Sequence, residues 1–178
     1  MRRVSVVGST GSGKTTLSRA LATRLGAPYV ELDSFMHQQN WQPRPDGEFM
    51  EEVERATSQP AWVVDGTYPK VVHEGPVWER ADTVVWLDLP RLSVLRQVTA
   101  RTVRRALTRE VLWNGNREPI SNFFSPSSVI VWSWVNHPRI ARRYSKAMTD
   151  PAWSHLHFVR LRSRVEANRW LESISESR

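Results

Sequence analysis

Cysteine is absent from the 178 residues. The chain can therefore carry no disulfide, no thiol nucleophile and no cysteine metal site. No apolar run approaches the ~20 residues of a membrane span, and there is no internal repeat or low-complexity stretch. The five histidines fall without metal-ligand spacing. His155 and His157 alternate along a strand pattern and carry no specific signal. The chain opens Met1-Arg2-Arg3 and enters a strand pattern at once, so no signal peptide is expected. A cytoplasmic location without a membrane anchor is the expectation. Acidic residues are outnumbered, 18 against 25 basic ones, for a net charge of +7, and arginine far outnumbers lysine. Such a balance suits anionic partners: nucleotides, phosphorylated metabolites or nucleic acid. Placement says more than the ratio. Arginines crowd residues 91–117 and 139–143, while acidic residues crowd 46–54.

Against these absences stands one complete pattern. Gly8-Ser9-Thr10-Gly11-Ser12-Gly13-Lys14-Thr15 is a G-x-x-x-x-G-K-[ST] phosphate-binding loop. It follows the β-branched run Val4-Ser5-Val6-Val7 and opens into a helical stretch, Thr16 to Leu25. Glycines let the backbone curl so that successive N–H groups point at one anion. The helix start, through Thr16, adds partial positive charge. Lys14 supplies a full charge for the β- and γ-phosphates, and the Thr15 hydroxyl sits where Mg²⁺ needs an oxygen.

Further along, strands and helices alternate. Pro28–Leu32 reads as a second strand with Asp33 at its C-terminal end. Residues 34–45 are loop-like, and 47–57 read as an amphipathic helix. Residues 61–64 form a third strand, running into Asp65-Gly66-Thr67-Tyr68. Residues 82–89 form a fourth, with an apolar run suited to a strand buried on both faces. Pro90 starts a long helix, and Asn114-Gly115-Asn116 resists regular structure. Residues 126–148 read as helical with an interruption near Pro138, before a last strand (155–161) and a last helix (165–174). This alternation predicts a parallel α/β sheet with helices on both faces.

The order resembles the adenylate and shikimate kinase branch of P-loop proteins over nearly the whole chain. Three motifs carry the resemblance: the loop Gly8–Thr15, the segment Val63-Val64-Asp65-Gly66-Thr67-Tyr68, and Leu87-Asp88-Leu89-Pro90 running into an arginine-bearing helix. Residues 86–90 (Trp-Leu-Asp-Leu-Pro) and 107–118 (Leu-Thr-Arg-Glu-Val-Leu-Trp-Asn-Gly-Asn-Arg-Glu) are also similar to a bacterial group labelled adenylate kinase-like or DNA topology modulation proteins. The resemblance implies a three-layer α/β fold with a five-stranded sheet of order 2-3-1-4-5, a P-loop NTPase of the nucleotide kinase type. It implies one domain over 1–178, an acceptor-binding insert about 34–60 and a short lid about 105–118. The chain departs from the branch at Gln97, where adenylate kinases carry an arginine against the adenine, with Arg96 beside it here. It departs again at Glu31, two residues before Asp33, where an aspartate pair would be expected.

Within this frame Asp65, at a strand end where ligands sit in open parallel sheets, is a candidate to hold Mg²⁺ with Thr15. Asp33 is a candidate to accept the proton of an attacking hydroxyl or to orient it. Arg101, Arg105 and Arg109 recur at i, i+4 and i+8. Like charges so spaced repel, which suits an anion among them, and Arg101 and Arg105 are candidates to stabilise a migrating phosphoryl group. Arg117, Arg139, Arg142 and Arg143 are weaker candidates of the same kind. Trp62 and Trp86 fall in strands and are expected in the core. Trp41 and Trp113 fall in loops, where they either pack or stack a ligand. The function expected is ATP·Mg-dependent phosphoryl transfer to a small acceptor, a nucleoside monophosphate or another small hydroxyl compound. A nucleic-acid-binding NTPase or regulator is the alternative, and the direction in which the arginines point separates the two.

Overall fold

Valine-rich segments build the sheet, as β-branched side chains suit a pleated, buried surface. The computed structural model describes residues 1–108, 110–117 and 128–174. Five parallel strands, β1 (Arg3–Gly8), β2 (Tyr29–Glu31), β3 (Trp62–Asp65), β4 (Thr83–Leu87) and β5 (His157–Leu161), lie in the order β2-β3-β1-β4-β5. This is the order the resemblance implies. Central β1 pairs with β3, Val6 opposite Asp65, and with β4, Gly8 opposite Leu87.

Side chains alternate between two cores, as the strand period of two requires. Val4, Val6, Val63, Val85 and Leu87 pack with Leu17 and Leu21 of α1 (Lys14–Leu25) and with Ala167 of α8 (Arg164–Ser173). Val7, Trp62, Val64, Val84 and Trp86 turn to the other face. There they meet α3 (Asp46–Thr57), α4 (Pro69–Val72), α5 (Pro76–Arg80) and α7 (Val129–Ala147) through Phe49, Val53, Val72, Trp78 and Tyr144. Trp62 and Trp86 are core residues, as expected. Ser5 interrupts the valines of β1 because its hydroxyl accepts the indole N–H of buried Trp78 at 3.2 Å. An indole N–H left unpaired in this core would be costly.

Two helices depart from expectation. Asp33 lies in a short helix, α2 (Leu32–Met36), which begins directly after Glu31; it does not end the strand. α7 runs through Pro138 without interruption. Proline lacks the N–H that would bond the Trp134 carbonyl four residues earlier. Arg91, at the start of α6 (Arg91–Thr108), donates to that oxygen instead, Nε at 3.1 Å and Nη2 at 2.8 Å. Among the described residues, no helix is long and apolar enough to cross a membrane.

Candidate functional site

Gly8, Glu31, Asp65 and Leu87 mark the C-terminal edge of the sheet, and the phosphate loop rises from it. Gly11 and Gly13 adopt left-handed backbone, φ +87° and +95°. A Cβ on Gly11 would stand 2.7 Å from Val98 Cβ of α6, so the loop and that helix touch only because glycine is there. Ser12 N–H donates to Ser9 O at 3.0 Å and closes the turn. Gly13 precedes α1 and offers no side-chain cap, so first-turn amides are open to an anion. The Ser12 hydroxyl is buried and has no hydrogen-bond partner among the described residues. Lys14 Nζ donates to Ser9 O at 3.2 Å. Burial pulls its ammonium below the usual lysine range, opposed by the charges of Asp65 and Asp33 and reinforced by Arg101. A half-buried cation beside the open first-turn amides of α1 fits a polyphosphate.

Thr15 Oγ1 donates to Asp65 Oδ2 at 2.7 Å, and the Tyr29 hydroxyl donates to the same oxygen at 3.2 Å. Asp65 is 4% exposed. Burial raises its carboxyl above the usual carboxylate range; Lys14 and the Thr15 hydroxyl hold it down, and Asp33 and Glu31 push it further up. Thr15 and Asp65 are hard oxygen donors of the kind Mg²⁺ takes beside phosphate oxygens and water. Glu31 turns away to an ion pair with Arg19 at 3.3 Å.

Across the same space, Asp33 Oδ1 accepts the Tyr68 hydroxyl at 2.6 Å, and that hydroxyl lies 3.5 Å from His37 Nε2. Burial and the Asp33 charge push the Tyr68 phenol well above its usual range, so it remains a donor. The signals for Tyr68 and His37 were present but unassigned. Tyr68 ends the Asp65-Gly66-Thr67-Tyr68 motif, and His37 lies four residues after Asp33, one helical turn away once α2 is recognised.

One cavity of about 910 Å³ joins these groups. Lys14, Thr15, Asp33, Asp65, Arg101 and Arg105 all line it, together with Arg139 and Arg143 of α7. Thr10 is the other lining residue of the phosphate loop, and Thr16 is exposed in the first turn of α1. Arg109 lies outside the described residues, and Arg104 and Arg117 are exposed. Glu110 lies 3.3 Å from Arg104 and 3.6 Å from Arg105, so a carboxylate stands between these two arginines of α6. Ser133 Oγ donates to Thr10 O at 2.8 Å and docks α7 on the phosphate loop. Arg139 and Arg143 lie about 9 and 15 Å further along that helix axis.

Trp41 and Trp113 also line the cavity. With His37 they form a cluster: His37 stacks on Trp113 at 5.9 Å and meets Trp41 edge-on at 5.3 Å. The Asn114-Gly115-Asn116 segment departs from regular helix at Asn114, whose backbone is left-handed. Trp113–Gly115 form a 3₁₀ turn that mirrors one at Gln39–Trp41, each with a left-handed asparagine, Asn114 and Asn40. Asparagine tolerates that conformation better than most residues.

No family model matches the chain. A shikimate kinase from Synechococcus elongatus is 30% identical over 134 residues, covering 64% of this chain and 70% of that protein. Another, from Synechococcus sp. (strain CC9902), is 31% identical over 121 residues, 61% of this chain. The match spans 63% of that relative's length, and only 16% of threonine synthase-like 1 from Macaca fascicularis, which is 23% identical over 121 residues. Among solved structures, a shikimate kinase from Acinetobacter baumannii in complex with shikimate superposes with TM-score 0.52 at 20% identity, covering 98% of this chain and 90% of that one. A gluconokinase from Sinorhizobium meliloti superposes with TM-score 0.51 at 19% identity, covering 98% and 94%. The two structures share the fold.

Proposed function

This chain belongs to the shikimate kinase family, and we propose that it transfers the γ-phosphoryl group of ATP·Mg to a hydroxyl of a small anionic acceptor. One observation carries the reading. Asp33 lies close enough to bear on both Lys14 and Asp65 electrostatically, and all three line one cavity. A candidate base and a candidate phosphate clamp thus share a wall, as in-line transfer requires.

The phosphate-loop amides and Lys14 bind the triphosphate. Thr15 and Asp65 hold Mg²⁺, which neutralises phosphate charge when bound. The acceptor oxygen attacks the γ-phosphorus as the bond to the β-bridging oxygen breaks. Asp33, oriented by Tyr68, receives the hydroxyl proton. Arg101 and Arg105 stabilise charge on the migrating group. Arg139 and Arg143, further along α7 than the phosphate loop, read the acceptor's own anionic group. Within the wider adenylate and shikimate kinase branch we place the chain nearest the bacterial adenylate kinase-like (DNA topology modulation protein) group, on residues 86–90 and 107–118. The placement of these arginines along one cavity supports a small anionic acceptor over the nucleic-acid alternative.

The test is ADP release from ATP·Mg across a panel of shikimate, gluconate, nucleoside monophosphates and other hydroxylated anions. We expect ADP release to depend on one class of acceptor and to vanish in Lys14→Ala. Release that ignores every acceptor and rises with added DNA would reject the reading.

A further inference from the structure

Two loops far apart in sequence are fastened together at the mouth of the cavity. Asn114 Nδ2 donates to His37 O at 2.6 Å and to Ser34 O at 3.4 Å. Asn116 Nδ2 donates to Gln38 O at 2.8 Å, while its Oδ1 accepts the Trp41 N–H at 3.0 Å. The Trp41 indole N–H donates to Arg117 O at 3.1 Å. Each loop is also closed on itself, Gln38 N–H to Gln42 O at 2.8 Å and Leu112 N–H to Asn116 O at 2.7 Å. Side-chain amides thus satisfy backbone carbonyls that a loop otherwise leaves to water. Asn116 is 5% exposed, so its bonds are shielded. The rings follow the same join: Trp113 from one loop stacks on His37 of the other, and His37 lies against the Tyr68 hydroxyl that holds Asp33.

We propose that Asn114 and Asn116 are positioning residues that fasten segment 111–117 to the acceptor-side loop 37–43, so that closure over the cavity is governed from the acceptor side and braces His37, Tyr68 and Asp33. The contacts run directly from segment 111–117 to Ser34, His37, Gln38 and Trp41 on the acceptor side. The closing segment is therefore energetically part of the acceptor subsite. This assignment rests on the kinase reading for its purpose. The fastening itself is measurable without any acceptor.

The experiment is hydrogen exchange on the full chain and on Asn114→Asp and Asn116→Asp, paired with calorimetric titration of ATP·Mg. Aspartate keeps the size of asparagine and its tolerance of left-handed backbone, but it cannot donate to a carbonyl. A net hydrogen bond is worth about fivefold in an opening equilibrium and the new oxygen repels the carbonyl, so amides 37–42 and 111–117 should exchange roughly tenfold faster in each variant. ATP·Mg affinity should stay within about twofold, a split that general loosening of the fold would not produce. Unchanged exchange at 37–42, or loss of ATP affinity in step with faster exchange, overturns the proposal. Should either variant fail to fold, Trp41→Phe keeps an aromatic ring against His37 and Trp113 while removing the indole bond to Arg117 O, and should still quicken exchange at 111–117; no change there also overturns it. A wild-type protein that phosphorylates no acceptor would reject the kinase reading and leave this result standing.

Discussion

Asp33 and Asp65 are both carboxylates on one cavity, yet their partners differ. Asp65 Oδ2 already accepts two hydroxyls, from Thr15 and Tyr29. Asp33 Oδ1 accepts one, from Tyr68, and no hydrogen bond ties Asp33 to the phosphate loop among the described residues. Asp65→Asn should therefore weaken the Mg²⁺-dependent part of ATP binding. Asp33→Asn should leave ATP binding within about twofold and slow phosphoryl transfer by roughly 10²–10⁴, the range for a lost general base. Titration with ATP at several Mg²⁺ concentrations, alongside single-turnover transfer, separates the two. If both variants lose ATP·Mg affinity equally, the division of labour is wrong.

α7 carries the docking serine for the phosphate loop and two cavity arginines, so its continuity matters to the site. It is continuous across Pro138 because Arg91 occupies the carbonyl that proline leaves open, with its guanidinium 3.5 Å from the Trp134 ring centre. The site is exposed, so water compensates in part. Arg91→Ala should cost about 1 kcal/mol, or a melting temperature roughly 2–4 °C lower for a chain of this size. In a Pro138→Ala background the helix amide returns and the same substitution should cost less, a coupling that a double-mutant cycle measures. Simple additivity of the two changes would show that Arg91 does not substitute for the missing amide.

His73, half-buried, joins three helices. It follows α4, meets Trp78 of α5 edge-on at 4.4 Å and lies 5.3 Å from Tyr144 of α7. Neither ring nitrogen has a hydrogen-bond partner among the described residues. Burial, aided by the nearby positive charge of Arg143, lowers its protonation from 6.5 to about 4. The unfolded chain thus takes up this proton at higher pH than the folded one. The neutral ring's contribution to stability is complete above about pH 6.5 and is lost as pH falls toward 4. Thermal melts from pH 7 to 4 should show stability falling across that window, less steeply in His73→Phe. Equal slopes for the two proteins would mean that His73 protonates as readily in the fold as out of it. The distribution of arginine belongs to this scale too. The +7 net charge gave nucleic acid and nucleotides equal standing, and the placement of Arg101, Arg105, Arg139 and Arg143 around one cavity favours a small anionic ligand.

The phosphate loop was legible from sequence because its chemistry is local: glycine backbone freedom, a following helix start and a lysine at fixed spacing act within eight residues. The sheet was legible because valine-rich runs of strand length alternate with helical periods, and a family resemblance supplied the strand order. What the sequence could not convey were meetings across the chain. Whether Asp33 reaches Lys14, whether Arg91 serves Pro138, and whether Asn114 ties Trp113 to His37 depend on how β3, α6 and α7 are brought together. Spacing encodes backbone preference over a turn or two. The partner of a side chain tens of residues away is decided by topology and packing, and Asn114 and Asn116 find theirs in the carbonyls of Ser34, His37 and Gln38.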